Sequence, residues 1–162
     1  MNSFLGAMLI LSAGGGAGLS VVREMNRRLR QTEDMQQIIR SMRTDICLRR
    51  LPLPAILSEL EKEFPTYFAG AGRAAGLLTQ VSFEELWQAC IRTIGLYPVL
   101  EDLICRIGTE LSRGEPPQEV LDICSARLQE MKSSQARRRE EMGRVYVAAG
   151  FAAGGLFVIL ML

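Results

Sequence analysis

The sequence predicts an all-α protein: a six-helix bundle in the middle of the chain, with an uncharged apolar helix at each end. Three observations carry this. Apolar residues recur at three- and four-residue spacing through most of the chain, and no run alternates β-branched and polar residues as a half-buried strand would. Pro and Gly punctuate that pattern at Pro52, Pro54, Pro65, Gly95, Pro98 and Gly114. Every Lys, Arg, Asp and Glu lies between Arg23 and Arg144.

The two ends set the organisation of the chain. Phe4–Val22 and Val145–Leu162 carry no charge, and each approaches the ~20 residues that cross a bilayer as a helix. The expected domains are therefore residues 1–22 as an N-terminal transmembrane helix, 23–144 as a cytoplasmic helical domain, and 145–162 as a C-terminal transmembrane helix. A cleaved signal peptide fits the first stretch poorly, because its positive charges follow the apolar run instead of preceding it. A buried hairpin fits poorly too, since the polar middle is too small to enclose two such helices. Both stretches carry small-xxx-small spacing, Gly14 with Gly18 and Gly150 with Gly154, which lets helices pack closely in lipid. Arg23, Arg27 and Arg28 follow the first stretch, and Arg137, Arg138, Arg139 and Arg144 precede the second. The positive-inside rule then puts the middle of the chain in the cytoplasm, with these arginines at the membrane surface, worth roughly 1 kcal/mol each against anionic lipid.

The elements follow in order. Gly and Pro are absent from Val21 to Leu51, and Met35, Ile38, Ile39, Met42 and Ile46 form one stripe, which predicts a single long helix ending near Leu51. Pro54 opens a second helix to about Phe64, with Ile56, Leu57, Leu60 and Phe64 inward. A third helix, about Thr66–Gln80, is rich in Ala and Gly and needs close packing to hold it. Ser82 and Glu85 form a capping box at the start of a fourth, which carries Phe83, Leu86, Trp87, Cys90, Ile91 and Ile94 and stops at Gly95. Trp87 reads as a core anchor. Pro98 opens a fifth helix with Leu100, Leu103, Ile104, Ile107 and Leu111 inward; Gly114 stops it, and Pro117 lies near the start of the last. That last helix carries Val120, Leu121, Cys124, Leu128 and Met131 and runs on into the second apolar stretch.

Composition narrows the chemistry. The net charge is +1, and the basic residues cluster beside the apolar ends, which argues against a nucleic-acid partner. The chain has no histidine, which removes Ser-His and Cys-His nucleophile pairs and histidine ligands. The four cysteines, Cys47, Cys90, Cys105 and Cys124, form no Cys-x-x-Cys and lie in apolar helical patterns, as buried reduced thiols do; a zinc site would need one ligand from each of separate helices. Gly14-Gly15-Gly16-Ala17-Gly18 lacks the Lys-Ser/Thr of a phosphate loop. The acidic pairs Glu33-Asp34, Glu84-Glu85, Glu101-Asp102 and Glu140-Glu141 are neighbours in sequence and so point to different helix faces. No catalytic residue, cofactor, metal or small-molecule substrate is expected. A small membrane-anchored enzyme would need a buried titratable cluster that the sequence does not announce.

The order of these features resembles the stage III sporulation protein AB family over essentially the whole chain. The resemblance rests on the N-terminal span and the basic long helix, then Leu51-Pro52-Leu53-Pro54-Ala55-Ile56-Leu57. It continues with Ile107-Gly108-Thr109-Glu110-Leu111, a helix break and Gln118. It closes with Gly150-Phe151-Ala152-Ala153-Gly154-Gly155-Leu156-Phe157-Val158-Ile159-Leu160. The break itself departs from the family, with Ser112-Arg113-Gly114-Glu115-Pro116-Pro117 in place of a Leu-Gly-x-Ser-Asp-like stretch. The resemblance implies a six-helix cytoplasmic bundle of the kind found in type II secretion and type IV pilus platform proteins. It implies a non-enzymatic membrane subunit of the channel complex between mother cell and forespore, on the mother-cell side. The implied partners are that complex's secretion-type ATPase and its other membrane subunits. The competing identity is a platform protein of a secretion or pilus machine, which would carry two copies of the helical domain; no internal repeat is visible here.

Overall fold

A computed structural model describes the backbone of residues 2–76 and 81–161, and the side chains of residues 19–73, 76, 81–142, 145, 148, 149 and 152. The chain is all-helical, with no strand among the described residues. It divides into two compact units: Gln31–Met131, and the segments Met1–Arg30 and Lys132–Leu162.

In chain order the helices are α1 (Asn2–Arg43), a π-helical turn (Thr44–Leu48), α2 (Leu53–Glu63), α3 (Pro65–Phe68), α4 (Ala71–Ala75), α5 (Phe83–Ile94), α6 (Pro98–Ser112) and α7 (Pro117–Met161). Three of them open on a proline, whose fixed φ suits a first helical turn and whose missing N–H would have had no partner there. The capping box of α5 forms as expected: the Ser82 hydroxyl accepts from the Glu85 N–H at 3.3 Å and the Glu85 carboxylate accepts from the Ser82 N–H at 3.2 Å. Gly95 ends α5 in the left-handed region, at φ 70°.

The unit Gln31–Met131 has a single core. Met35, Ile38, Ile39 and Met42 of α1 meet Ile56, Leu57 and Leu60 of α2, Trp87 and Ile91 of α5, Leu100 and Ile104 of α6, and Leu121 and Leu128 of α7, all fully buried. These are the apolar stripes that the helical spacing picks out. Full burial of one such side chain stabilises by about 2 kcal/mol, so the helices hold one another and do not depend on intrinsic propensity.

Three expectations change. The third helix, expected as one piece over Thr66–Gln80, is two short helices, α3 and α4, and residues 77–80 lie outside the described residues. The chain leaves the helix at Ala69 and turns at Gly70, φ 85°, and the Glu61 carboxylate accepts from the backbone N–H of Gly70 and of Gly72, each at 2.7 Å. A side chain satisfies the backbone where a continuous helix would have satisfied itself. The bundle expected to have six helices thus has its third divided, giving seven α-helices along the described residues. Second, α1 does not run straight to Leu51; it widens into the π turn and reverses at Arg50. Third, of the four cysteines only Cys124 is fully buried, while Cys47, Cys90 and Cys105 are half-buried; all four are free.

In the other unit both segments are helical. Among the described residues no helix is long and apolar enough to cross a membrane. The apolar stretches expected to do so fall mainly on side chains outside the described residues, and Gly14, Gly18, Gly150 and Gly154 lie there too, as does Arg144.

Candidate functional site

The rigid side of the helical unit is the α5–α6 seam. The Trp87 indole is fully buried, donates to the Ile104 carbonyl at 2.8 Å, and lies against the rings of Phe68 and Phe83 at 5.9 and 6.0 Å between centroids. Gly108 sits directly beneath that indole: a Cβ there would lie 2.8 Å from Trp87 Cγ, closer than carbon atoms pack. One residue on, Thr109 donates to Glu84 at 2.7 Å, and Gln88 donates to the same carboxylate at 3.2 Å. The stretch Ile107–Leu111 is thus a packing motif that sets the spacing of α5 and α6.

The α1–α7 seam is polar at intervals. Gln36 donates to Gln129 at 2.8 Å, and Arg43 pairs with Asp122 at 2.9 Å. Thr32 shares a buried hydrogen bond of 2.9 Å with the Tyr97 hydroxyl. The Tyr67 hydroxyl donates to Asp34, and burial together with this bond pushes the phenol up to about 12.

Against these closed seams stands the end of α1. The Arg49 N–H reaches back five residues to the Thr44 carbonyl and the Leu51 N–H to the Asp45 carbonyl, both at 3.0 Å. π turns of this kind concentrate at functional sites. Arg50 then takes φ 53°, the one positive-φ non-glycine residue among the described residues. Asp45 is 4% exposed and accepts from Arg49 at 3.0 Å; the Asp45 carboxylate in turn holds the Arg49 guanidinium above its ordinary pKa. Beside the turn a groove of about 590 Å³ runs between α1 and α2, lined by Arg40, Ser41, Asp45, Arg49, Glu59 and Glu63 among others. Lys62 draws the Glu59 carboxylate below its ordinary pKa, and Ser41 donates to Glu63. A second groove, about 480 Å³, lies over α5 and α6 and is lined by Arg92, Asp102, Arg106, Glu110 and Arg113 with neutral neighbours.

Of the acidic pairs, Glu84 and Glu85 take separate partners. Glu84 serves Thr109 while Glu85 serves the cap of α5, and Asp34 serves Tyr67. Burial pushes the Cys90 and Cys105 thiols up and the Cys124 thiol up to about 12, away from the reactive thiolate. Among the described residues no group of three or more Cys, Asp or Glu is placed to hold a metal ion.

The predicted surface arginines lie in the other unit. Arg23, Arg27, Arg28, Arg137, Arg138 and Arg139 are exposed. Arg27 and Arg28 both pair with Glu24, at 2.9 and 2.8 Å, and hold its carboxyl below its ordinary pKa.

Sequence reasoning missed the buried Asp45, the π turn and the left-handed Arg50. Pro52 and Pro54 announce that a helix ends nearby, but nothing in Thr44–Leu51 announces how it ends.

The fold and its surface define a class: an all-helical protein built on one core, with closed seams on two sides and an irregular charged turn at the end of its first helix. The family model for stage III sporulation protein AB matches residues 3–162, and the chain belongs to that family. No curated protein and no solved structure matches it.

Proposed function

We propose that the chain is a non-enzymatic membrane subunit of the channel complex between mother cell and forespore, and that its helical unit docks a cytoplasmic secretion-type ATPase to that channel. Membership of a sporulation family supports the setting. The observation that carries the membrane part is the charge layout: Phe4–Val22 and Val145–Leu162 are uncharged, and exposed arginines lie just inside each, at Arg23–Arg28 and Arg137–Arg139. On this reading the two ends span the outer forespore membrane from the mother-cell side, the glycine pairs pack against other membrane subunits, and the helical unit is a compact relative of secretion-platform domains. Its work is binding, which suits a surface of grooves and engaged carboxylates.

The test uses the full-length chain from sporulating cells. It should stay with the membrane pellet through alkaline carbonate extraction, and the secretion-type ATPase produced in the same cells should co-purify with it in mild detergent. Release into the supernatant would overturn the membrane reading. Retention without the ATPase at micromolar concentration would overturn the docking.

A further inference from the structure

We infer that the turn Thr44–Arg50, with the groove beside it, is the docking surface of the helical unit, and that its occupant is a protein segment presenting a carboxylate next to an apolar side chain. The inference rests on reading the chain as an assembly subunit and names the part that does the assembling.

The other left-handed positions among the described residues, Gly70, Gly95 and Gly114, are glycines, the residue that takes this conformation without strain. At Arg50 a side chain crowds the following carbonyl, and folding alone favours glycine there. The left-handed turn lets the Leu51 N–H reach the Asp45 carbonyl at 3.0 Å, a bond that glycine at position 50 would allow with less strain, and the Arg50 guanidinium itself makes no hydrogen bond or ion pair among the described residues. A side chain held where glycine would make the same turn with less strain, and engaged by nothing in the unit, marks a position open to contact with something else.

Leu48 is 78% exposed, the most exposed of the large apolar residues described. It belongs to the same turn, two residues before Arg50.

Two carboxylates of the groove are neutralised, Asp45 by Arg49 and Glu59 by Lys62, while Glu63 is held by the neutral Ser41 hydroxyl and keeps its charge. The Arg40 side chain, which lines the same groove, has no partner among the described residues, and neither does Arg50. Arg40 and Arg50 set against Glu63 leave a net positive charge. A guanidinium without a partner recognises a carboxylate through paired N–H donors, and Leu48 beside it accepts an apolar neighbour.

The test places a photo-crosslinking amino acid at position 48 of the full-length chain in sporulating cells, with position 99 as control, because Val99 is also exposed, at 67%. Position 48 should capture a protein, and sequencing of the crosslinked peptide should find an Asp or Glu within a few residues of a large apolar side chain. Arg50→Gly should cut that capture about tenfold, the worth of a lost charge-assisted contact, while raising the melting temperature of the purified full-length chain by about 3 °C. If the captured protein is not the ATPase, the docking surface stands and the ATPase reading falls. The inference is overturned by capture of lipid or of a second copy of this chain, by equal capture at positions 48 and 99, by no capture at all, or by unchanged capture in Arg50→Gly.

Discussion

The α5–α6 seam and the turn after α1 belong to the same helical unit and obey different rules. In the seam each local choice agrees with the fold. Ser82 and Glu85 cap the helix reciprocally, Gly95 takes the left-handed stop, Pro98 opens the next helix, and Trp87 finds its one acceptor at Ile104. In the turn the choices conflict with local preference: a buried carboxylate at Asp45, a widened helix, and an arginine where glycine is favoured. Agreement across levels is what makes a sequence fold to one structure, and departures gather where a surface has another task. The seam holds, and the turn presents.

The largest expected effect breaks the seam. Gly108→Ala puts a methyl group into the Trp87 indole, and neither helix can retreat without opening the core between them. We expect a loss of about 3 kcal/mol, at the upper end for overpacking, measured by denaturant unfolding of the full-length chain in detergent. A loss below about 1 kcal/mol would mean that α6 can shift, and that the seam is not the rigid side of the comparison.

A smaller effect is expected where α2 meets α4. The Glu61 carboxylate takes the N–H groups of Gly70 and Gly72, and those two bonds hold its pKa below the ordinary value. A carboxyl with a lowered folded pKa contributes stability that is complete above its unfolded pKa and is lost as pH falls through the folded value. Stability should therefore decline on acidification below the ordinary glutamate range, and Glu61→Gln should lower the melting temperature at neutral pH while flattening that decline. A decline of the same slope in Glu61→Gln would assign the acid sensitivity to other carboxylates.

What the sequence made legible follows the same division. The capping box, the stops at Gly95 and Gly114, the prolines at helix starts and the buried stripes are written in residues within a few positions of one another, so the physics that sets them is local. The contacts that escaped are between residues distant in sequence. Gly108 is read in sequence as a poor helix former, and its reason is an indole on another helix. The Ala- and Gly-rich stretch after Pro65 looks like one weak helix, and its break depends on a carboxylate nine residues upstream of Gly70. Asp45 looks like a solvated residue of a charged helix face until the turn folds over it. The candidate site was the least legible part, because an arginine carries no mark of the backbone angle it will take.

The sharpest test of the comparison exchanges the two kinds of stop. Gly95 and Arg50 share the left-handed conformation, at φ 70° and 53°. A Cβ at Gly95 would meet nothing within 4 Å, so a side chain there costs backbone strain and little else. Gly95→Arg should therefore destabilise by about 1 kcal/mol, and Arg50→Gly should stabilise by a similar or slightly smaller amount, because both changes move the same strain in opposite directions. Thermal unfolding of the two single variants and of the double variant reads this directly, and the double should lie close to the parent, since the two sites share no partner. If Arg50→Gly instead destabilises, the guanidinium has an internal role, and the turn joins the seam as a part that holds. If it stabilises as expected, the parent chain carries a less stable stop than its own sequence uses at Gly95. An arginine at position 50 then has to be accounted for by what it touches outside the chain.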